Sequence, residues 1–315
     1  MKFDNRIILV LVAVIGIYAI FLFTSDFNLV SEKITNFKIS YLPLILLLVS
    51  TSWIPIFIKW HLLLKNCEID IPLRKSIAVF LSGSAFTTIT PGQVGALIKS
   101  QILKTSSNIP RTRTVPIIVI ENVYDLIGAI IASIMGVIIL GIEPYLIIIA
   151  ISVLAIIFFF MYYRPASNLF FKRISKTKFF SRYVEDISEF EKIIRKSTNL
   201  KIAITCILLS ITYWFIISIA VHYTLIAFDI NMLDYLQVLA IYTTSILLGA
   251  ISFIPAGLGV AEGSIAGLLT LHGIDVSTAL ILTIMIRILT LWYSVAVGFI
   301  ALKFTGGFTF RKNSF

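Results

Sequence analysis

The sequence is poor in the residues that carry most soluble enzyme chemistry. Its 315 residues include 3 His and 2 Cys, and only 13% are charged. The histidines are isolated, and there is no H-E-x-x-H zinc motif, P-loop or G-x-S-x-G elbow. Cys67 and Cys206 form no metal-binding or redox motif, so we assign both a packing role. These absences predict no cofactor, no metal site and no enzyme of a common motif-bearing class.

Apolar residues make up 58% of the sequence and recur in runs of about 20 residues, the length that crosses a bilayer as a helix. The sequence therefore predicts an all-α polytopic membrane protein, with residues 1–315 forming a single membrane domain. We expect about six full spans and four shorter membrane helices. The full spans are predicted at 7–23, 43–64, 115–140, 145–163, 202–227 and 276–302, and the shorter helices form broken hairpins at 76–105 and 235–271.

The basic residues set the orientation. The net charge is +10, and ten of the 26 Lys and Arg residues lie in 164–201, with most of the others on the same side of the predicted spans. By the positive-inside rule, both termini are cytoplasmic and the protein resides in the cell membrane. The charge therefore needs no nucleic acid to explain it. Lys59, near the inner end of its span, is interpreted as a cation that reaches the cytosolic headgroups.

Two stretches interrupt the apolar pattern with Pro and Gly. In FIPAGLGVAEGSIAGLLTL (residues 253–271), Pro255 ends the incoming helix, and a second helix starts just beyond Gly257. The same pattern occurs in residues 81–104, where Thr90-Pro91-Gly92-Gln93-Val94-Gly95 separates two helices. Basic residues flank 81–104 on both sides, which predicts a segment that enters from the inner face and returns. Irregular backbone at membrane depth is tolerated where it is buried in protein or lines a polar cavity.

The two halves repeat one order of elements. Pro91 corresponds to Pro255 and Gly95 to Gly259, and each half consists of a span, a broken hairpin and a charged span. The first unit covers 43–140 and starts outside, whereas the second covers 202–302 and starts inside. We therefore predict two inverted-topology repeats, each with a Pro/Gly-broken re-entrant hairpin, and a site between them near the membrane midplane.

Four ionisable residues fall inside the apolar tracts, where a charge needs a partner or water. Glu121 and Asp125 are four residues apart and share one helical face. Glu262 follows the second break, and Arg287 lies in the last span. Counted from opposite membrane faces, Arg287 and the two acids of the first unit reach the same middle zone, so we expect them to be in contact.

The functional interpretation is a polar cavity that binds an anion through Arg287 and the two helix starts. The predicted substrate-binding residues are Arg287, Glu262, Glu121, Asp125, Pro91, Gly92, Gly95, Pro255, Gly257 and Gly259. In this interpretation the three acids balance Arg287 or take a coupling proton. The competing explanation is a structural ion-pair cluster with close helix packing at Gly263-x-x-x-Gly267.

Residues 164–201 form a basic connector between the units. Val184, Ile187, Phe190 and Ile194 share one helical face, with the basic residues elsewhere. Such a helix could lie on the inner leaflet and attract anionic headgroups. An ordinary positive-inside loop explains the same charges.

The ordered motifs resemble a known family. TPGQVGALIK (Thr90–Lys99), VIENVYDL (Val119–Leu126) and IPAGLGVAE (Ile254–Glu262), followed by Arg287, are similar to the lysylphosphatidylglycerol synthase transmembrane-region family. The resemblance covers nearly the whole chain and implies movement of aminoacylated or polyisoprenyl-type lipids across the bilayer. Ala96 stands where the family usually has Glu, and Asn122 where it often has Arg. This departure predicts that a charge pair of the first unit is missing.

The sequence and the resemblance together predict a lipid translocase that binds an anionic phospholipid or lipid-linked headgroup. Family members that synthesise or glycosylate lipids carry a soluble domain that this sequence lacks, so we expect no enzyme activity. One alternative is a membrane subunit that docks a soluble lipid- or glycan-modifying enzyme through 164–201. The other is an intramembrane enzyme that acts on lipid phosphate.

Overall fold

The protein is described here by a computed structural model that covers residue 16 and residues 35–140, 144–162 and 187–305. The predicted first span (7–23), apart from Gly16, and most of the connector, up to residue 186, lie outside the described residues. Within the described ranges the chain is helical and contains no strand. The all-α fold class predicted from the sequence is thus confirmed for this part of the chain.

Between residues 35 and 162, the described residues form five α-helices that follow the predicted boundaries closely. They are α1 (Leu42–Asn66), α2 (Leu73–Ile89), α3 (Ile98–Ser107), α4 (Arg111–Leu140) and α5 (Pro144–Tyr162). A short 3-10 turn, Ile39–Tyr41, precedes α1, and a longer 3-10 segment, Pro91–Leu97, joins α2 to α3.

Residues 187–305 form six further α-helices. They are α6 (Ile187–Ser197), α7 (Leu200–Ala227), α8 (Tyr235–Ile251), α9 (Val260–Leu271), α10 (Val276–Arg287) and α11 (Tyr293–Leu302). Side-chain caps explain several of the starts. Asp234 and Gln237 form a reciprocal capping box at the start of α8, with both hydrogen bonds 2.9 Å long. Asp275 accepts a hydrogen bond from the Thr278 amide at the start of α10, also at 2.9 Å.

Four helical segments in the described ranges are long and apolar enough to cross a membrane. They are Ile39–Asn66, Arg111–Gly136, Leu200–Ala227 and Val276–Leu302. Helix α5, with 19 residues, occupies the fourth predicted span. Many of their apolar side chains face outward, as expected for helices whose solvent is lipid. The protein is an integral multi-pass membrane protein.

The helices of the two halves pack in reciprocal pairs. Helix α1 packs on α7, α2 packs on α11, and α8 packs on α4. Small residues permit the close approaches that drive helix association in lipid. A Cβ at Gly136 of α4 would lie 2.2 Å from the Ala240 side chain of α8, and one at Gly298 of α11 would lie 2.5 Å from Ala85 of α2. The two free cysteines are buried, as their assignment to packing requires.

Helix α6 uses its apolar face inside the protein. Phe190 and Ile194, two members of the predicted lipid-facing set, are buried in a cluster with Cys67 and the side chains of α4. Val184 lies outside the described residues. The hypothesis that this face lies in the inner leaflet is therefore wrong for the described part of α6, because α1 and α4 already cover it.

A wide turn separates α10 from α11. Residues Ile288–Trp292 form a π-helix directly after Arg287. Such turns insert one residue into a helix and often occur at functional sites. Arg287 thus ends an α-helix inside the predicted last span.

Candidate functional site

The second break comprises Ser252–Gly259, between α8 and α9. Ile254 is extended (φ −75°, ψ 139°), as the residue before a proline prefers, and Pro255–Gly257 form one 3-10 turn. Ala256 and Gly257 both have positive φ, at 58° and 66°. A side chain at Gly257 would also collide with Gly249 of α8, whose Cα lies 2.9 Å from the position of a Cβ. Glycine is therefore required at 257 by both conformation and space.

Glu262 and Arg287 hold this break together. Glu262 Oε2 accepts a hydrogen bond from the Gly259 amide at 2.8 Å, which satisfies one free donor at the start of α9. Its other oxygen, Oε1, accepts from Arg287 Nε at 2.7 Å. Arg287 Nη2 donates to the Ala256 carbonyl at 2.5 Å. Both charged side chains are almost completely buried, at 3% exposure for Arg287 and 0% for Glu262.

The first break comprises Thr90–Leu97, between α2 and α3. Thr90 is extended (φ −113°, ψ 146°), and the 3-10 segment that contains Pro91, Gly92 and Gly95 follows. Thr90 Oγ1 accepts from the Gly95 amide at 2.6 Å and donates to the Phe86 carbonyl at 2.8 Å. A Cβ at Gly95 would lie 2.0 Å from that carbonyl oxygen. The threonine therefore ties the break to the end of α2, and only glycine fits at 95.

An ion pair also accompanies the first break. Lys99 Nζ, on α3, lies 2.5 Å from Glu121 Oε2 on α4, and both side chains are at most 5% exposed. The Lys99 stem crosses Gly83, where a Cβ would lie 2.2 Å from Lys99 Cγ. Its ammonium lies 4.5 Å from the centroid of the Trp60 ring, a cation–π contact. The pair expected to be missing, at positions 96 and 122, has no charged residues here, but Lys99 and Glu121 give the first unit a buried pair of its own.

The two breaks thus carry similar pairs of opposite polarity. At the first break the cation, Lys99, is on the short helix and the anion, Glu121, is on the long one. At the second break the anion, Glu262, is on the short helix and the cation, Arg287, is on the long one. The 3-10 segments of the breaks are in contact, with Cα atoms within 8 Å. The four charges therefore flank one region of the fold.

Lys59 and Asp125 form a third ion pair between α1 and α4. Lys59 Nζ also contacts Ser210 Oγ at 3.0 Å and the Glu121 carbonyl at 3.4 Å. Lys59 is fully buried, so its interpretation as a cation that reaches the headgroups is wrong. Asp125 needs a counterion at this position, and α1 brings Lys59 to it.

The structure divides the predicted charge cluster into separate pairs. Arg287 is bonded to Glu262, and neither Glu121 nor Asp125 is among its ion-pair partners in the described residues. The expected contact between Arg287 and the first-unit acids is therefore wrong. A tight turn after α9 packs α9 against α10, so the carboxylate nearest to Arg287 comes from its own half.

Sequence reasoning missed the two lysines because each lies near a predicted span end, where a cation is ordinarily exposed. Charge balance was the available signal. Two acids on one face of an apolar helix need two cations nearby.

The close helix packing predicted at Gly263 and Gly267 is not seen in the described residues, because a Cβ at either position would meet nothing within 4 Å.

Comparison with known proteins identifies the same family as the sequence motifs do. The profile of the family described as "Lysylphosphatidylglycerol synthase TM region" matches residues 7–298. The UPF0104 membrane protein PH1989 of Pyrococcus horikoshii is 22% identical over 268 residues, covering 76% of this chain and 80% of that protein. The UPF0104 membrane protein MJ1078 of Methanocaldococcus jannaschii is 27% identical over 228 residues, covering 67% of this chain and 90% of that protein.

Proposed function

Because the chain belongs to the lysylphosphatidylglycerol synthase transmembrane-region family, we propose that it is a lipid translocase. It binds the anionic headgroup of a phospholipid or lipid-linked intermediate in a polar region between the two breaks. The observation that carries the proposal is the position of Arg287, a buried guanidinium at a helix break inside an apolar helix bundle. Buried ionisable groups in membrane helices are retained for function more often than for stability.

Arg287 retains donors for a ligand. A guanidinium has five N–H groups in a planar fork that matches phosphate and carboxylate oxygens. Within the described chain, Nε donates to Glu262 and Nη2 donates to the Ala256 carbonyl. These two bonds fix the plane of the group and leave the remaining N–H groups to receive a phosphate. Since Glu262 already caps α9, Arg287 contributes more to anion binding than the start of α9 does.

The reciprocal packing supports an inverted repeat. Helix α2 of the first unit packs on α11 of the second, and α8 of the second unit packs on α4 of the first. These are the contacts expected if a two-fold axis in the membrane plane relates the two units, and such an axis would also map α1 onto α7, which pack together. With the basic residues inside, such an axis brings the breaks in from opposite leaflets, and both termini are cytoplasmic. The headgroup can then pass from one break to the other.

The test is lipid exchange in reconstituted vesicles. Purified protein is placed in phosphatidylethanolamine–phosphatidylglycerol vesicles that contain a fluorescent phosphatidylglycerol, and dithionite then measures how much probe reaches the outer leaflet. We expect Arg287→Met and Pro255→Ala to slow the exchange at least tenfold. Lys38→Met, which removes an exposed ion pair with Asp229, is the matched control and should exchange at the wild-type rate. If both site variants exchange anionic and zwitterionic probes at the wild-type rate, the proposal is overturned.

A subunit that docks a soluble enzyme is the second candidate. An open cavity of about 590 Å³ lies beside the polar face of α6. It is lined by Asn66, Glu191, Lys192, Arg195, Lys196 and Asn199. Under this alternative, Lys192→Glu with Arg195→Glu abolishes function in cells yet leaves vesicle exchange intact. An autonomous translocase instead keeps function in both assays.

A further inference from the structure

The three ion pairs at the breaks and between α1 and α4 differ in one respect. Five of their six side chains are at most 5% exposed, whereas the side chain of Asp125 is 33% exposed. Lys59, its partner, is fully buried. Asp125 is thus the one member of these three pairs with a substantial part of its side chain at the surface of the protein.

Asp125 lies deep in the bundle. It follows Arg111, the first residue of the 30-residue helix α4, by about 21 Å along the helix axis. On a helix of about 45 Å, this depth is close to the middle. An ionised carboxylate at the centre of a bilayer needs a partner or water, and Asp125 has Lys59 as its partner. Asp125 therefore combines partial exposure with a position near the middle of its helix.

If Asp125 becomes neutral, Lys59 still has hydrogen-bond acceptors for its ammonium group. Lys59 Nζ has two other acceptors, Ser210 Oγ at 3.0 Å and the Glu121 carbonyl at 3.4 Å. Ser210 also donates to Asp125 Oδ1 at 3.1 Å. When Asp125 is protonated, the ammonium of Lys59 stays hydrogen-bonded to neutral oxygens.

The titratable and charged groups around Asp125 come from three helices. Lys59 faces it from α1, and Glu121 lies one turn earlier on α4. Cys206 and Tyr213 of α7 lie within electrostatic range of the carboxylate. Among these groups Lys59 is the one positive charge, and Asp125 is the carboxylate that combines an adjacent cation with partial exposure.

A chain of contacts connects Asp125 to the first break. Lys59 bonds to Asp125 and to the Glu121 carbonyl, and the Glu121 carboxylate pairs with Lys99. Lys99 is the second residue of α3, the helix that starts at the break. These four charged side chains sum to zero while Asp125 is ionised. One added proton makes the cluster positive and strengthens its attraction for an anion.

We propose that Asp125 binds the proton that couples a proton gradient to lipid translocation. The inference rests on the proposed function. A proton from water adds to the Asp125 carboxylate, the ion pair with Lys59 becomes a hydrogen bond to a neutral acid, and the cluster gains one positive charge. An anionic headgroup then enters the region between the breaks, and release of the proton on the other side restores the starting charge. No bond other than that to the proton is made or broken.

The first measurement needs no lipid transport. Infrared difference spectra of the reconstituted protein, labelled at aspartate with carbon-13, are recorded as the pH is changed. We expect the C=O band of a protonated carboxyl to titrate in the wild type, to disappear in Asp125→Asn and to persist, without the isotope shift, in Asp125→Glu. If the wild type shows no such band, or if the band survives in Asp125→Asn, the proton site is overturned.

The second measurement tests the coupling. The exchange rate of fluorescent phosphatidylglycerol is measured with and without an imposed pH gradient, and the ratio of the two rates is compared. We expect a ratio of at least three for the wild type and Asp125→Glu, and a ratio of one for Asp125→Asn, whatever its gradient-free rate. An equal ratio in all three proteins overturns the coupling. If the wild type exchanges no lipid, the proposed function and the coupling both fail, while the infrared band still decides whether Asp125 binds a proton.

Discussion

Arg287 and Glu262 lie on consecutive helices, and their 2.7 Å ion pair closes the break that separates α8 from α9. The same two side chains bond to the Ala256 carbonyl and the Gly259 amide, so the pair fixes backbone within the 3-10 turn and just after it. A helix interruption in an apolar environment leaves polar backbone groups without partners. This ion pair supplies two of those partners.

The buried pair should show strong coupling in a double-mutant cycle. Arg287→Met or Glu262→Gln alone leaves one buried group without its partner, which costs about 3–5 kcal/mol when a charge remains. The double variant should lose clearly less than the sum of the two. Unfolding of the micelle-solubilised protein by a denaturing detergent measures all four stabilities. Additive losses would show that the pair does not hold the break.

Replacing Ala256 by glycine should stabilise the protein. Its φ of 58° lies in the left-handed region, which costs a residue with a side chain about 1–2 kcal/mol. We expect Ala256→Gly to raise the free energy of unfolding by about 0.5–1 kcal/mol after the larger backbone entropy of glycine is counted. Ala266→Gly, inside α9, is the matched control and should be destabilising by about 1 kcal/mol or more. Equal destabilisation by both changes would contradict the conformation of the break.

Gly83 provides room for Lys99. A Cβ there would lie 2.2 Å from Lys99 Cγ, so Gly83→Ala should destabilise the protein by about 1–3 kcal/mol through overpacking. The loss should shrink when Lys99 is replaced by Ala in the same chain. Gly263→Ala is the control, because a Cβ at 263 meets nothing within 4 Å, and alanine favours the helix there by about 1 kcal/mol. Thermal unfolding in detergent distinguishes these effects, and an undiminished loss in the Lys99→Ala background would exclude the steric cause.

Glu68 should add pH-dependent stability outside the membrane. The hydrogen bond from Lys196 and its positive charge hold the pKa of Glu68 below its usual 4.5. Because the folded pKa is lowered, the stabilisation is complete above pH 4.5 and is lost as the pH falls through the folded value. Melting temperatures of wild type and Glu68→Gln should therefore differ at neutral pH and converge in acid. Lys196→Met removes the same pair and should give the same profile, and a gap that persists in acid would contradict the assignment.

The helix boundaries and both breaks could be predicted from local chemistry. Apolar runs define membrane helices, and Pro91 and Pro255 each end a helix for reasons contained in a few neighbouring residues. The structure places α1 at Leu42–Asn66 and α8 at Tyr235–Ile251, close to the predicted limits. Such features depend on steric clashes and hydrogen bonds between residues that are close in sequence, so they can be predicted from the sequence alone.

The pairing of charges could not be predicted in the same way. Arg287 selects Glu262 because α9 folds back onto α10, and Lys59 meets Asp125 because α1 and α4 cross at that level. Each choice depends on how helices distant in sequence, or a tight turn, are arranged in space. Hydropathy assigned Lys59 and Lys99 to the membrane surface, although the packing of α1 and α3 buries both.

The π-helix after Arg287 determines how Arg287 and Gly298 are rotated relative to each other about the helix axis. Gly298 of α11 must face Ala85, while Arg287 must face Glu262 on another side of the bundle. Relaxing the wide turn to ordinary α-helical geometry would rotate Gly298 by about 100° and direct a neighbouring side chain at α2. Inserting a residue between positions 287 and 298 should consequently be as harmful as replacing either residue, whereas deleting one residue there should be milder, because the wide turn can then become ordinary α-helix with Gly298 still facing Ala85.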